Sequence, residues 1–262
     1  MIQILTLAQV VWLEMIRRKD FYVLFILLAA FLAILMALDL FGLSQAVTYL
    51  KEIGLLLTWI GAWILAVSIS ARQLPQEERS LTIFPLLAKP VSRVQVLLGK
   101  WLGAWAAVGA ATLVFYALLT GMVVLRGGTF DTLVLGQAWL LHLGFLGIVT
   151  ALAIAFSTCC NADAASVLTY LITLGAWLIL PRVPDLVLKV SGPTQAGLMA
   201  LYYALPHLEL FDLRRRLVYA WEPASSATVL LILIYGLLMA AIFLTLGALA
   251  YRNKRFTHGA ML

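Results

Sequence analysis

Six stretches of the chain run apolar between bounds of charge, proline or glycine, near residues 21–41, 53–71, 93–125, 132–157, 164–180 and 225–250. A helix rises about 1.5 Å per residue, so about 20 apolar residues cross the roughly 30 Å of hydrocarbon in a bilayer. Each stretch is read as a spanning helix, and the third and fourth are long enough to tilt or project. Composition agrees, with 64% of residues hydrophobic and 11% charged, against roughly a quarter charged in a soluble domain. One core cannot hide so much apolar surface, so lipid must solvate the remainder. The expectation is an all-α integral membrane protein with six transmembrane helices and a single domain over 1–262. There is room for one sizeable element outside the bilayer but not for a second domain.

The 18 basic and 12 acidic residues leave a net charge of +6. In a soluble protein that excess might suggest nucleic acid; here it reads as the positive flanks of spans, and no nucleic-acid partner is expected. Six spans put both termini on one side. That side collects Arg17, Arg18, Lys19, Arg72, Arg79, Lys89, Arg93, Lys100, Arg252, Lys254 and Arg255, and is assigned to the cytoplasm. Most of the remaining basic residues lie in the long outer loop 181–224, where charge constrains translocation less. The first cationic cluster follows the opening apolar stretch instead of preceding it, so no cleaved leader is expected. Residues 2–18 differ from a span. Gln3, Thr6, Gln9 and Glu14 gather on one half of a helical wheel, with Ile4, Val11, Trp12 and Met15 on the other. A helix too short to cross, ending in cations, fits the membrane interface; a longer, bent first span is the alternative.

Residues 71–93 concentrate charge between two nearly charge-free runs. Pro75, Pro85 and Pro90 each disfavour helix just before them, which leaves a helix-sized piece over 76–84. An exposed, charged helix on a short tether is one reading, and a solvated turn is the other. Ser92-x-x-Gln95 fits a capping box that starts the third span at Arg93.

These residues carry a family resemblance. An acidic residue and Thr82, followed by Leu86-Leu87-Ala88-Lys89-Pro90-Val91-Ser92-Arg93 and then Leu97-Leu98-Gly99-Lys100, resemble the signature loop of type-2 ABC-transporter permeases. Residues 2–18 resemble that family's elbow helix. Leu205-Pro206-His207-Leu208-Glu209-Leu210-Phe211-Asp212 resembles its Pro-Asn-x-x-x-Phe segment before the last span, with short helices in that loop. Within the family the chain is most similar to the branch that includes permeases for multicopper-enzyme maturation, notably that of nitrous oxide reductase. The resemblance implies an exporter-like permease of the bacterial inner membrane, acting as a homodimer with two copies of a separate ATPase subunit that binds ATP and Mg. Residues 76–84 would be the coupling helix, with Glu77 and Thr82 at the matching positions and Glu78, Arg79, Lys89 and Arg93 beside them. Spans two and five would line the pathway, presenting Trp59, Trp63, Ser68 and Ser70 opposite Thr169, Thr173 and Trp177. Such a wall suits an amphiphilic or lipid-like cargo. Lipids contact the spans, and the outer loop would form a lid that could receive a periplasmic accessory protein.

Other chemistry is not indicated. No G-x-x-x-x-G-K-[ST] occurs, since Gly99-Lys100 is followed by Trp101, so the chain is not expected to hydrolyse ATP or bind a cofactor. His142, His207 and His258 are far apart, and Cys159 and Cys160 lack zinc-site spacing, so no metal site is expected. Ion-driven carriers usually place ionisable groups near the midplane, and here only His142 sits there. A proton relay through it defines one alternative, an ion-coupled carrier; the bland reading is a neutral imidazole hydrogen-bonded to a neighbouring helix. A membrane scaffold recruiting soluble partners through the loop at 76–84 is another alternative. Gly99, Gly103, Ala107 and Ala111 on span three, and Gly147, Ala151 and Ala155 on span four, have the spacing of close helix contacts, within one subunit or across a dimer. Asp163 fits an N-cap for span five, and Asp212 can pair with Arg216 four residues on.

Overall fold

The computed structural model describes residues 2–17, scattered positions between 22 and 34, 46–80, 92–252 and 254. Among these the chain is all helical. Helix α1 covers Ile2–Arg17, α2 Ala46–Arg79, α3 Arg93–Leu125, α4 Thr132–Ser157 and α5 Ala162–Ile179. A 3-10 turn at Leu180–Arg182 leads to α6, Val183–Val187, and α7, Pro193–Ala204. A second 3-10 turn at Leu208–Phe211 precedes α8, Arg214–Val218, and α9, Ser226–Arg252, closes the order.

Five described helices are long and apolar enough to cross a membrane: α2, α3, α4, α5 with its continuation to Val187, and α9. The first expected span, 21–41, lies largely outside the described residues. Burial orders the five. The most apolar stretch of α4 is 72% buried inside the chain, against 22% for α9, so α4 is the central post and α9 turns most of its surface outward.

Termini follow local chemistry. Ser92 and Gln95 close the expected capping box at the start of α3: Gln95 N–H donates to Ser92 Oγ at 3.2 Å, and Ser92 N–H donates to Gln95 Oε1 at 2.9 Å. Asp131 caps α4. At α5 the cap is Asn161, whose Oδ1 accepts from Ala164 N–H at 2.9 Å. Asp163, expected in that role, lies two residues further on, in the first turn, where a carboxylate favours the positive end of the helix.

The small-residue stripes receive other helices of the same chain. A Cβ on Gly103 would stand 2.7 Å from the Ala8 carbonyl oxygen and from Val11 Cβ, so α1 lies directly on α3 there. A Cβ on Gly247 would stand 3.0 Å from Ala155 Cα, so α9 lies on the stripe of α4. Backbone approach of this kind favours packing where water cannot drive it.

The largest departure from expectation is at Pro75. Helix α2 runs through it to Arg79 without a break, so the described part of the expected 76–84 helix is the last turn of α2. Proline removes one backbone hydrogen bond and crowds the preceding turn, but the turn beyond it is held by distant partners: Glu77 pairs with Lys100 and Glu78 with Lys254. Ser80 N–H and Oγ–H both donate to the Gln76 carbonyl, at 3.0 and 2.9 Å, at the helix end. Thr82 and Lys89 lie outside the described residues.

Candidate functional site

Two clusters sit along α2, one at its middle and one at its C-terminal end. At the middle, Trp59 and Trp63 occupy positions four apart and share one face. Across from them, Thr173 and Trp177 share a face of α5. Trp63 Nε1 donates to Thr173 Oγ1 at 3.0 Å; the Thr173 hydroxyl donates to the Thr169 carbonyl at 2.7 Å, and the Thr169 hydroxyl to the Ala165 carbonyl at 2.7 Å. Polar groups in an apolar wall are thus satisfied locally, which removes the cost of burying them. The Tyr170 ring meets Trp63 edge-on at 5.2 Å.

Trp59 is the centre of an aromatic stack. Its ring lies 4.8 Å from His142 with 12° between planes, 4.2 Å from Phe145 and 6.5 Å from Trp177. The Arg214 guanidinium carbon sits 5.2 Å from the Trp59 ring centre and 5.4 Å from that of Trp177, within the range of cation–π attraction. Asp212 fixes that guanidinium by a two-pronged bond, Nε to Oδ1 at 2.9 Å and Nη2 to Oδ2 at 2.6 Å, a geometry arginine favours. Asp212 Oδ1 also accepts from the Arg214 backbone N–H at 3.0 Å. The expected Asp212–Arg216 pair is therefore replaced by Asp212–Arg214; Arg216 donates to the Glu222 carbonyl at 2.9 Å. The α8 segment has a single helical turn, which places residue 214 over the slot.

Trp59, Trp63, Thr173, Trp177 and Arg214 border an apolar slot of about 160 Å³. Above it opens a mouth of about 830 Å³, edged by Glu52, Arg182, Glu209, Asp212, Arg214 and Arg215. Of the seven expected pathway residues, four line the slot. Thr169 is fully buried and bonded within its own helix. Ser68 is half-buried; Ser70 is fully buried, its hydroxyl without a hydrogen-bond partner among the described residues.

His142 is fully buried, and neither ring nitrogen has a hydrogen-bond partner among the described residues. The hydrogen-bonded imidazole expected from the sequence is replaced by a stacked one. Its neighbours are the rings of Trp59, Tyr116 and Phe145, which supply faces in place of acceptors.

The mouth is roofed by the loop before α9. Phe211 is fully buried, wedged where a Cβ on Gly144 would stand 2.7 Å and one on Gly236 3.0 Å from its ring. His207 N–H donates to the Tyr235 hydroxyl at 2.9 Å. Gln137 clamps the loop end through both amide atoms, donating to the Ala224 carbonyl at 2.8 Å and accepting from Ala224 N–H at 3.0 Å.

At the C-terminal end of α2, Lys100 is almost completely buried. Its ammonium donates to Glu77 Oε1 at 2.7 Å, to Gln73 Oε1 at 3.3 Å and to the Gln73 carbonyl at 3.4 Å. Lys254 holds both oxygens of Glu78, at 2.7 and 2.8 Å. Arg93 Nη1 donates to the carbonyls of Tyr251, Arg252 and Lys254 at 2.6, 3.0 and 3.1 Å, capping the end of α9. Glu77, Glu78 and Arg93 thus face inward and join α2, α3 and α9, whereas Arg79 is exposed.

A chain of this build, with long apolar helices, a roofed mouth and a charged helix end, also matches a known family. The model of the ABC-2 family transporter protein matches residues 5–256, nearly the whole chain. The chain belongs to the ABC-2 transporter family. It is therefore a multi-pass transmembrane permease of an ABC transporter, the membrane component of such a machine, and membership implies association with an ABC ATPase. No curated protein is a significant sequence match to this ABC-2 transporter chain.

Arg214 and Lys100 have roles here that the sequence did not suggest. The run Arg214-Arg215-Arg216 of the outer loop reads as a surface for phosphate headgroups or for solvent; the Asp-x-Arg spacing that lets a carboxylate take both a backbone N–H and a guanidinium was the available signal. Lys100 counted as a flanking charge, and its burial depends on α2 continuing past Pro75.

Proposed function

We propose that this ABC-2 permease is an exporter subunit that works as a homodimer on two copies of a separate ATPase, in a bacterial inner membrane with both termini cytoplasmic. ATP and Mg sit on the partner. Residues 21–41 supply the sixth span, α1 is the interfacial elbow helix, and residues 76–84 dock on the ATPase, with Arg79, Thr82 and Lys89 on the docking side. Glu77, Glu78 and Arg93 brace that contact from within. Maturation of a multicopper enzyme is the branch-level version of this reading, and a periplasmic accessory protein would meet the outer loop.

One observation carries the proposal. Trp59 and Trp63, which border the slot, lie on the same unbroken helix as Glu77 and Glu78, at the charged end. From Trp59 to Glu77 is about 27 Å along that helix. Movement of the charged end by nucleotide-driven closure of the ATPases therefore reaches the slot through a rigid element, without a flexible joint.

The test is affinity purification of the tagged chain from its native membrane in mild detergent, with native mass and mass spectrometry of what accompanies it. A two-to-two complex with an ATPase is the expected result; repeated recovery without a nucleotide-binding partner overturns it. Within that complex, Arg79→Glu is expected to weaken copurification, more in low salt than in moderate salt. Unchanged recovery in both removes Arg79 from the docking contact.

A further inference from the structure

Arg214 lines both the slot and the mouth, together with Leu56 and Trp177. Its guanidinium therefore stands where the two spaces meet. We propose that the Trp59–Trp177 slot is a binding subsite for an organic cation, and that Arg214 is the protein's own occupant of it, displaced when the ligand enters. The ligand class is an ammonium carrying an aryl or short alkyl group. This deepens the reading of the α2–α5 face as the pathway and rests on it.

Charge decides the class. Two indole faces present negative potential, which attracts cations and repels anions. Asp212 already satisfies Arg214 with two short bonds, so the guanidinium is not a vacant anion receptor. Two further donors beside the slot are also spent: Trp63 Nε1 on Thr173, and the Thr173 hydroxyl on Thr169. With Arg214 withdrawn, the mouth keeps Glu52, Glu209 and Asp212 against Arg182 and Arg215, an excess of negative charge beside two tryptophans.

Mobility and size agree. Arg214 opens a single-turn helix in the loop, while Trp59 and Trp177 sit on long spans, so Arg214 is the member that a side-chain rotation can withdraw, against its bonds to Asp212. The slot, at about 160 Å³ with Arg214 in place, is close to the size of a cavity known to admit a benzene ring. Leu56, Ile60 and Leu174 supply its apolar wall.

The full-length protein in lipid nanodiscs, with its ATPase where that copurifies, is titrated calorimetrically against empty nanodiscs. The probes are phenyltrimethylammonium, its neutral relative dimethylaniline, and benzenesulfonate. The ammonium is expected to bind saturably and about tenfold or more tighter than dimethylaniline, as desolvated cation–π contacts allow. Arg214→Ala is expected to tighten the ammonium further, because it removes the competitor. Equal binding of dimethylaniline makes the slot merely apolar and overturns the proposal. Binding of benzenesulfonate that Arg214→Ala abolishes makes it an anion site and overturns it too, as does the absence of saturable binding. If Arg214→Ala is not recovered folded, the wild-type comparison of ammonium with dimethylaniline decides alone. Failure of cation binding with an ATPase still recovered sinks the subsite only; cation binding without any ATPase sinks the transporter complex and leaves the subsite.

Discussion

The pairs Glu77–Lys100 and Asp212–Arg214 are nearly equal in length, 2.7 and 2.6 Å, yet they do opposite things to the fold. Glu77 and Lys100 belong to two different spans, and the lysine side chain is 4% exposed. Breaking that pair leaves a charge with nowhere to go. Asp212 and Arg214 are two residues apart in one loop, and both can reach water. Their pairing ties no spans together; it aims one guanidinium at two tryptophans. The same chemistry thus clamps helices at the C-terminal end of α2 and positions a movable side chain beside its middle.

Substitutions can break that contrast. The largest effect is expected for Phe211→Ala, about 4 kcal/mol, because the ring fills the gap between Gly144 and Gly236 and its removal leaves a cavity. The loss should concentrate in the loop end, read as faster proteolysis across 180–225 with little change near 93–100. Lys100→Met is expected to cost about 3 kcal/mol by removing the buried ammonium that Glu77 and both Gln73 oxygens hold, read as a lower unfolding midpoint of the whole bundle. The double change Glu77→Gln with Lys100→Met should recover much of that loss; no recovery would show that the pair is not what holds α2 to α3. Asp212→Asn keeps an acceptor for the Arg214 backbone N–H and is expected to cost less than about 1 kcal/mol. A loss as large as that of Lys100→Met would erase the distinction between clamp and pointer.

How far these two regions were legible differs as well. The bounds of α3 and α4 follow from where apolar residues stop, and the Ser92–Gln95 cap is local chemistry, so both emerge from the sequence alone. Trp59, Trp63, Thr173 and Trp177 were expected together only through the family resemblance, which puts spans two and five on the pathway; spacing adds that each pair shares a face of its helix. What spacing cannot show is a partner far along the chain. Pro75 reads as a break because the partners of the next turn, Lys100 and Lys254, lie 23 and 176 residues away. Arg214 reads as one of three arginines because only the packed loop brings it over Trp59. His142 was expected to find an acceptor, but Trp59 of α2, Tyr116 of α3 and Phe145 of its own helix surround it with rings.

The seat of α1 has a consequence in time. The helix that rests on Gly103 leaves the ribosome about 95 residues before that glycine, which at roughly 5–20 residues per second is a wait of about 5–20 s. Until α3 arrives there is no groove to enter, and on the elbow-helix reading the bilayer surface holds α1 in the interval. Its two-faced sequence would then serve a nascent chain before it serves a finished protein.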